Sequence, residues 1–223
     1  MLFRAYLTVI SIALPGHVGA GAAHAAEPPR AVADHYPETL AEPLPDPAPA
    51  SAPTWLVPSV HALALMTTMR ATEAYLWPEP FADTDRFRLA SHYHDAFSKP
   101  PLWDSSRSIF EADGDRWQIN VIGHGLFGSE LYLRARTCRK PAWQALLFTG
   151  LASTTWEYGF EANGVRPSAL DLAFTPLSGL VLGEARYFAW SRARQLQPGA
   201  ARTLLSALVD PLGELERAGG TPC

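Results

Sequence analysis

The stretch 116-RWQINVIGHGLFGSELYLRART-137 and its continuation 141-PAWQALLFTGLASTTWEYGFE-161 decide the fold. Neither has the alternating β-branched pattern, bounded by turn residues, that marks a strand. Arg116 to about Thr137 is predicted as one helix and Pro141 to Glu161 as the next. Pro141 suits a first helical turn, where a missing N–H costs nothing, and Asn163-Gly164 supplies a stop. A third helix begins at Ser168, whose hydroxyl can cap the first turn with Asp171 three residues on, a variant of the capping box. It runs to about Gln197, and Pro176 is expected to kink it.

Upstream, Leu63, Met66, Met69 and Glu73 recur at helical steps between Val60 and Trp77, until Pro78 and Pro80 break the pattern. Phe81 to Asp115 is polar, aromatic and irregular. It reads as a long surface connection that lays Phe87, Tyr93, Phe97 and Trp103 onto the core. Downstream, Ala200 to Val209 is amphipathic and ends at Asp210-Pro211. The expected fold class is therefore all-α: a compact bundle of about four to five apolar, glycine-containing helices within residues 55–220.

The start of the chain reads as a secretory signal. Arg4 precedes the apolar run Ala5 to Leu14, and Ala23-His24-Ala25 supplies a small-residue cleavage signature, so residues 1–25 are expected to be removed. Residues 26–54 read as a proline-rich linker, with eight prolines, five acids and one base between Glu27 and Thr54. Such composition favours extended polyproline II over helix or ladder. With 48% hydrophobic residues over the whole chain, the remainder can bury a core. The formal charge is −4, and loss of residues 1–25 removes Arg4 and no acid, giving −5. That balance lacks the basic footprint of a nucleic-acid binder. An oxidising compartment permits a disulfide between Cys138 and Cys223, the only cysteines, but spacing alone does not pair them.

Two readings of the apolar segments stand side by side. Arg134, Arg136, Arg139 and Lys140 cluster after the first central helix, and Arg186, Arg192 and Arg194 follow the apolar part of the third. Three membrane spans would then satisfy the positive-inside rule. The stretch from Pro141 to Trp156 is charge-free but shorter than a typical span. A buried core in a water-soluble or surface-bound domain explains the same runs.

The informative feature is polar residues on faces that ought to be buried. Asn120, His124 and Gly128 share one stripe at four-residue spacing. Glu157 and Glu161 form a second, and Asp171, Thr175, Gly179 and Gly183 a third, followed by Glu184. Gly179 and Gly183, like Gly128, allow close helix packing. Antiparallel neighbours would bring Asn120, His124, Glu157, Glu161, Ser168 and Asp171 to one end of the bundle. His124, Glu157, Glu161 and Asp171 are candidate catalytic residues, because carboxylates and an imidazole can bind metal or run acid/base chemistry. The competing reading is a polar lock in which His124 bonds a glutamate and Asn120 and Ser168 satisfy helix ends.

These residues also carry a family resemblance. Trp156-Glu157-Tyr158-Gly159-Phe160-Glu161, Pro167-Ser168-x-x-Asp171-Leu172, Thr175-Pro176-Leu177-x-Gly179 and Gly183-Glu184 resemble the central block of an uncharacterised bacterial family, domain of unknown function 3943. Ile119-Asn120-x-x-Gly123-His124, Gly128 and Tyr132 resemble its preceding segment, and Asp210-Pro211 its tail. The resemblance spans about Trp103 to Glu216. Gly125 stands where the family usually has proline. The resemblance implies an exported envelope protein and brings no established activity. The expectation is a helical module at or in a membrane whose polar cluster is structural. The alternative is a metal-dependent or acid/base hydrolase of a lipid or cell-wall substrate. Membrane or lipid is the partner class considered; cofactor, metal and protein partner are left unknown.

Overall fold

The computed structural model describes residues 54–220 and 223. The expected signal segment and nearly all of the proline-rich linker lie outside the described residues. Within them the chain is all-α, and the sole β feature is an isolated parallel bridge between Leu102 and Ser168.

Three helical runs in mutual contact form the centre. The first comprises a wide π-type turn, Gln118–Gly123, followed by α4, His124–Thr137. The second is α5, Ala142–Thr155, ending in a wide turn, Trp156–Glu161. The third is α6, Ala169–Ser178, a wide turn Gly179–Gly183, and α7, Glu184–Arg194. The regions expected to be helical from Arg116 and Pro141 are helical, but each carries an irregular turn that apolar spacing does not announce. In the third run, Pro176 stays inside α6 and the irregularity comes after it.

Around this centre lie α1 (Leu56–Leu76), the short α2 (Pro78–Phe81), α3 (Arg86–Ser98), α8 (Ala200–Val209) and α9 (Pro211–Ala218). The bundle thus has more helices than the four to five expected. The stretch expected to be an irregular connection contains α3, capped by the Asp85 carboxylate, which accepts from Phe87 N and Arg88 N. It escaped notice because it has no buried stripe: Ala96 is its one buried residue, and Phe87 and Phe97 point outward at 73% and 71% exposure. Trp103 is also exposed, so these aromatics are not core. Asp210-Pro211, read as a stop, is also a start. The Asp210 carboxylate accepts from Gly213 N, and Pro211 opens α9, a position proline tolerates well.

The core is built on α4. Phe127 and Leu131 pack with Ala62 and Met66 of α1, Ala152 of α5 and Trp156. The third run approaches α4 closely because glycines face it. A Cβ at Gly128 would overlap the Thr175 carbonyl oxygen; one at Gly179 would sit 2.8 Å from Gly128 O, and one at Gly183 2.7 Å from the Tyr132 ring.

A charged network ties α1, α4, α7 and α9 together. Arg134, 1% exposed, reaches Asp210 at 3.0 Å, Glu216 at 3.3 Å and Glu130 at 3.4 Å. Arg186 donates to Glu130 at 2.7 Å and Arg217 to Asp210 at 2.7 Å, while His61 lies between Glu130 and Glu216. Cys138, just after α4, forms a disulfide with Cys223, with 4.8 Å between their Cα atoms. Among the described residues no helix is long and apolar enough to cross a membrane, which removes support from the three-span reading.

Candidate functional site

Two of the wide turns position the polar cluster. A π-type turn adds a residue to the helical repeat and re-aims the side chains beyond it, and such turns recur at functional sites. The turn at Gln118–Gly123 separates Asn120 from His124. Asn120 donates to Phe110 O at 3.0 Å and to Asp113 Oδ1 at 2.8 Å, in the loop before α4. His124 faces α6 instead, with Nδ1 3.0 Å from Thr175 Oγ1 and Nε2 3.6 Å from Asp171 Oδ2. The turn at Trp156–Glu161 likewise aims Glu157 inward and leaves Glu161 half-buried.

Ser168 organises the other side. Its hydroxyl accepts from Asp171 N at 3.0 Å, capping α6, and donates to Asp113 Oδ2 at 2.7 Å. In a full capping box the side chain three residues on would accept from the cap's own N–H. Here Glu157 Oε2 takes the Ser168 N–H, at 2.7 Å. The carboxylate of Asp171 is thereby released toward His124.

His124, Glu157 and Asp171 are 6%, 1% and 2% exposed, and each offers a ligand atom, all within 4.8 Å of one another. Phe127 and Trp156 wall the site: the His124 and Phe127 rings meet edge-on with centroids 6.5 Å apart, and Phe127 lies 5.9 Å from Trp156. Glu157 Oε1 and Asp171 Oδ1 are buried without a hydrogen-bond partner.

Electrostatics follow from this burial. Desolvation drives His124 down to about 4, with the Asp113 charge pulling the other way, so the ring is neutral at pH 7. Burial raises Glu157 to about 8; the Ser168 N–H opposes this, while Asp113, Asp115 and Glu73 push it further. Burial and the Glu157 charge raise Asp171 to about 9. Glu161 is raised well above the ordinary carboxylate range by burial and by the charges of Glu157, Glu73, Asp115 and Asp171. For Asp113, burial is outweighed by hydrogen bonds from Ser168 and Asn120, and its carboxyl is held below the usual range. At neutral pH the close approach of His124 and Asp171 joins a neutral ring to a protonated acid and is no ion pair.

The structure thus brings together His124, Glu157 and Asp171, with Asn120 and Ser168 behind them. Glu161 stands outside the triad. Glu184 is elsewhere: it accepts from Arg136 at 2.9 and 3.0 Å and from Tyr132 Oη at 2.7 Å. The expected bond from His124 to a glutamate is made to Thr175 instead. Asp113 was not foreseen; the loop 113-DGD-115 has no periodicity, and only its acids beside a helix start could have flagged it.

Fold and site together define an all-α domain with a buried His–Glu–Asp centre. Residues 109–212 match the family described as Domain of unknown function (DUF3943), the family that the central motifs resemble. No curated protein and no solved structure matches the chain.

Proposed function

We propose that this chain is an exported cell-envelope protein whose helical domain docks on a lipid surface, its buried polar centres serving architecture rather than turnover. The observation that carries this reading is the outer face of α5. Trp143, Leu147 and Leu151, spaced four apart on a charge-free helix, are 61%, 58% and 69% exposed. Leu177 and Val181 extend the apolar exterior onto the neighbouring run, at 58% and 68%. A helix face in contact with water is normally polar, and burying one such side chain is worth about 1.5–3 kcal/mol. The N-terminal signal pattern and the Cys138–Cys223 disulfide support export, because such bonds persist in oxidising compartments.

The hydrolase reading keeps one specific observation, three ligand atoms able to reach one point. Against it, all three residues are buried, and a substrate needs an opening. Flotation of the full chain with phosphatidylethanolamine/phosphatidylglycerol vesicles tests the docking reading. The wild type is expected to float, and the Trp143→Ser, Leu147→Ser, Leu151→Ser variant to stay at the bottom while folded. A monomeric wild type that never floats would overturn it.

A further inference from the structure

We propose that His124, Glu157 and Asp171 bind a first-row divalent cation, of the zinc or manganese class, inside the bundle. The first support is geometric. The three ligand atoms lie within 4.8 Å of one another. In tetrahedral or octahedral coordination, bonds of about 2.0–2.2 Å put neighbouring ligand atoms about 3–3.6 Å apart, so the widest pair draws in by roughly an ångström when an ion is held.

The second support is that each side chain is fastened by one atom and has another to give. His124 is held through Nδ1 by Thr175 Oγ1, an outer-shell contact that orients the ring and presents Nε2. Glu157 is held through Oε2 by the Ser168 N–H and leaves Oε1 bare. Asp171 Oδ1 likewise has no donor, on a residue 2% exposed whose carboxyl also meets that of Asp113. Buried carboxylate oxygens without partners are rare, and a bound cation is among their recognised explanations.

The third support is charge. Asp113, whose Oδ2 accepts from Ser168, sets a further carboxylate beside the cluster, and Asp115 adds to its field from a more exposed position. Arg70 of α1 is engaged by Glu73, Phe81 O and Asn163. One imidazole nitrogen and two carboxylates suit zinc or manganese better than soft Cu(I) or an all-oxygen calcium cage. A neutral imidazole is the ligating form, and the two carboxyls must give up protons to the incoming ion, so affinity rises with pH.

The test uses the full chain, purified and analysed for metal, then stripped with chelator under mild denaturation and refolded with or without Zn²⁺ or Mn²⁺. About one equivalent of metal per chain is expected, with a raised melting temperature when either ion is restored. Asp171→Asn and Glu157→Gln should each lower affinity by roughly a hundredfold or more. Should one variant fail to fold, the other and the wild type still decide. Only trace metal in the wild type, with no shift on adding either ion, would overturn the proposal. So would variants that hold metal as tightly as the wild type, since the ion would then sit elsewhere. Metal content is read independently of flotation, so this proposal and the docking reading stand or fall separately.

Discussion

His124 and Arg134 stand on the same helix, and both are buried, yet their surroundings are opposites. Around Arg134, three guanidinium groups (Arg134, Arg186 and Arg217) interleave with Glu130, Asp210 and Glu216. Around His124 there are carboxyls and one neutral ring, and two buried oxygens remain bare. The first arrangement is a lock by the usual criterion: its carboxylates are each paired with guanidinium groups and four helices meet there, although Arg134 Nε, Arg217 Nε and His61 Nε2 have no hydrogen-bond partner. The second fails that criterion, although it also contains a helix cap. A polar cluster is therefore not classed by its residue types alone. What separates lock from site is whether the charge sums toward zero and whether every lone pair has a donor.

The largest effect is expected from breaking the lock. Arg134→Met leaves Glu130, Asp210 and Glu216 short of their shared partner, and removing one member of a buried pair costs about 3–5 kcal/mol. Chemical denaturation should show that loss at every pH where the chain is folded. A variant as stable as the wild type would mean that the network contributes nothing, and the contrast between the two regions would lose its basis.

A smaller effect is expected where both regions depend on the same packing. Gly128 lies between His124 and Arg134, and its Cβ-less backbone meets the Thr175 carbonyl. Gly128→Ala must push α6 away, at about 1–3 kcal/mol for overpacking. The same movement pulls Thr175 from His124, so the variant should also lose the wild-type response to added Zn²⁺. Full stability, measured by thermal melting, would show that α4 and α6 are not in contact.

Much of this was legible in the sequence, for identifiable reasons. Helices centred on α4, α5 and α6 follow from long apolar runs with caps at Pro141 and Ser168, and the family match over residues 109–212 follows from local motifs. The π-type turns were not legible, because an added residue leaves hydrophobic composition unchanged while rotating everything beyond it. That is why Glu161, four residues after Glu157, leaves the triad and Asn120 turns to Asp113. Glu184 lies apart for a simpler reason: it follows Gly183 in the chain, but its partners, Arg136 and Tyr132, lie toward the other end of α4. The charged lock was missed because its members come from helices far apart in sequence.

The smallest effect at pH 6.5, and the one that best separates the two regions, is expected from Asp171→Asn in metal-free protein. Glu157 at about 8 and Asp171 at about 9 hold protons in the folded state that an unfolded chain has already released above pH 5. Stability must then fall as pH rises, by about 1.4 kcal/mol per pH unit for each such proton, until the folded groups ionise. His124 acts oppositely. With its folded value near 4, the unfolded chain binds a proton the folded one does not, so its contribution is lost as pH drops from 6.5 toward 4. Above pH 6.5 the ring is neutral in both states and only the acids matter. Asparagine keeps the shape of the protonated acid and cannot ionise, so at pH 6.5 the variant should lie within about 1 kcal/mol of the wild type. Between pH 6.5 and 9 its stability should fall less steeply, and at pH 8.5 it should be the more stable protein. Urea titrations in chelator across that range measure both slopes. Asp210→Asn supplies the contrast, because it takes a charge from Arg134 and Arg217 and should destabilise throughout. If Asp171→Asn instead tracks Asp210→Asn, with a constant loss and an unchanged slope, then Asp171 is one more member of a paired lock, and the acid-rich centre is not the exception that its bare oxygens indicate.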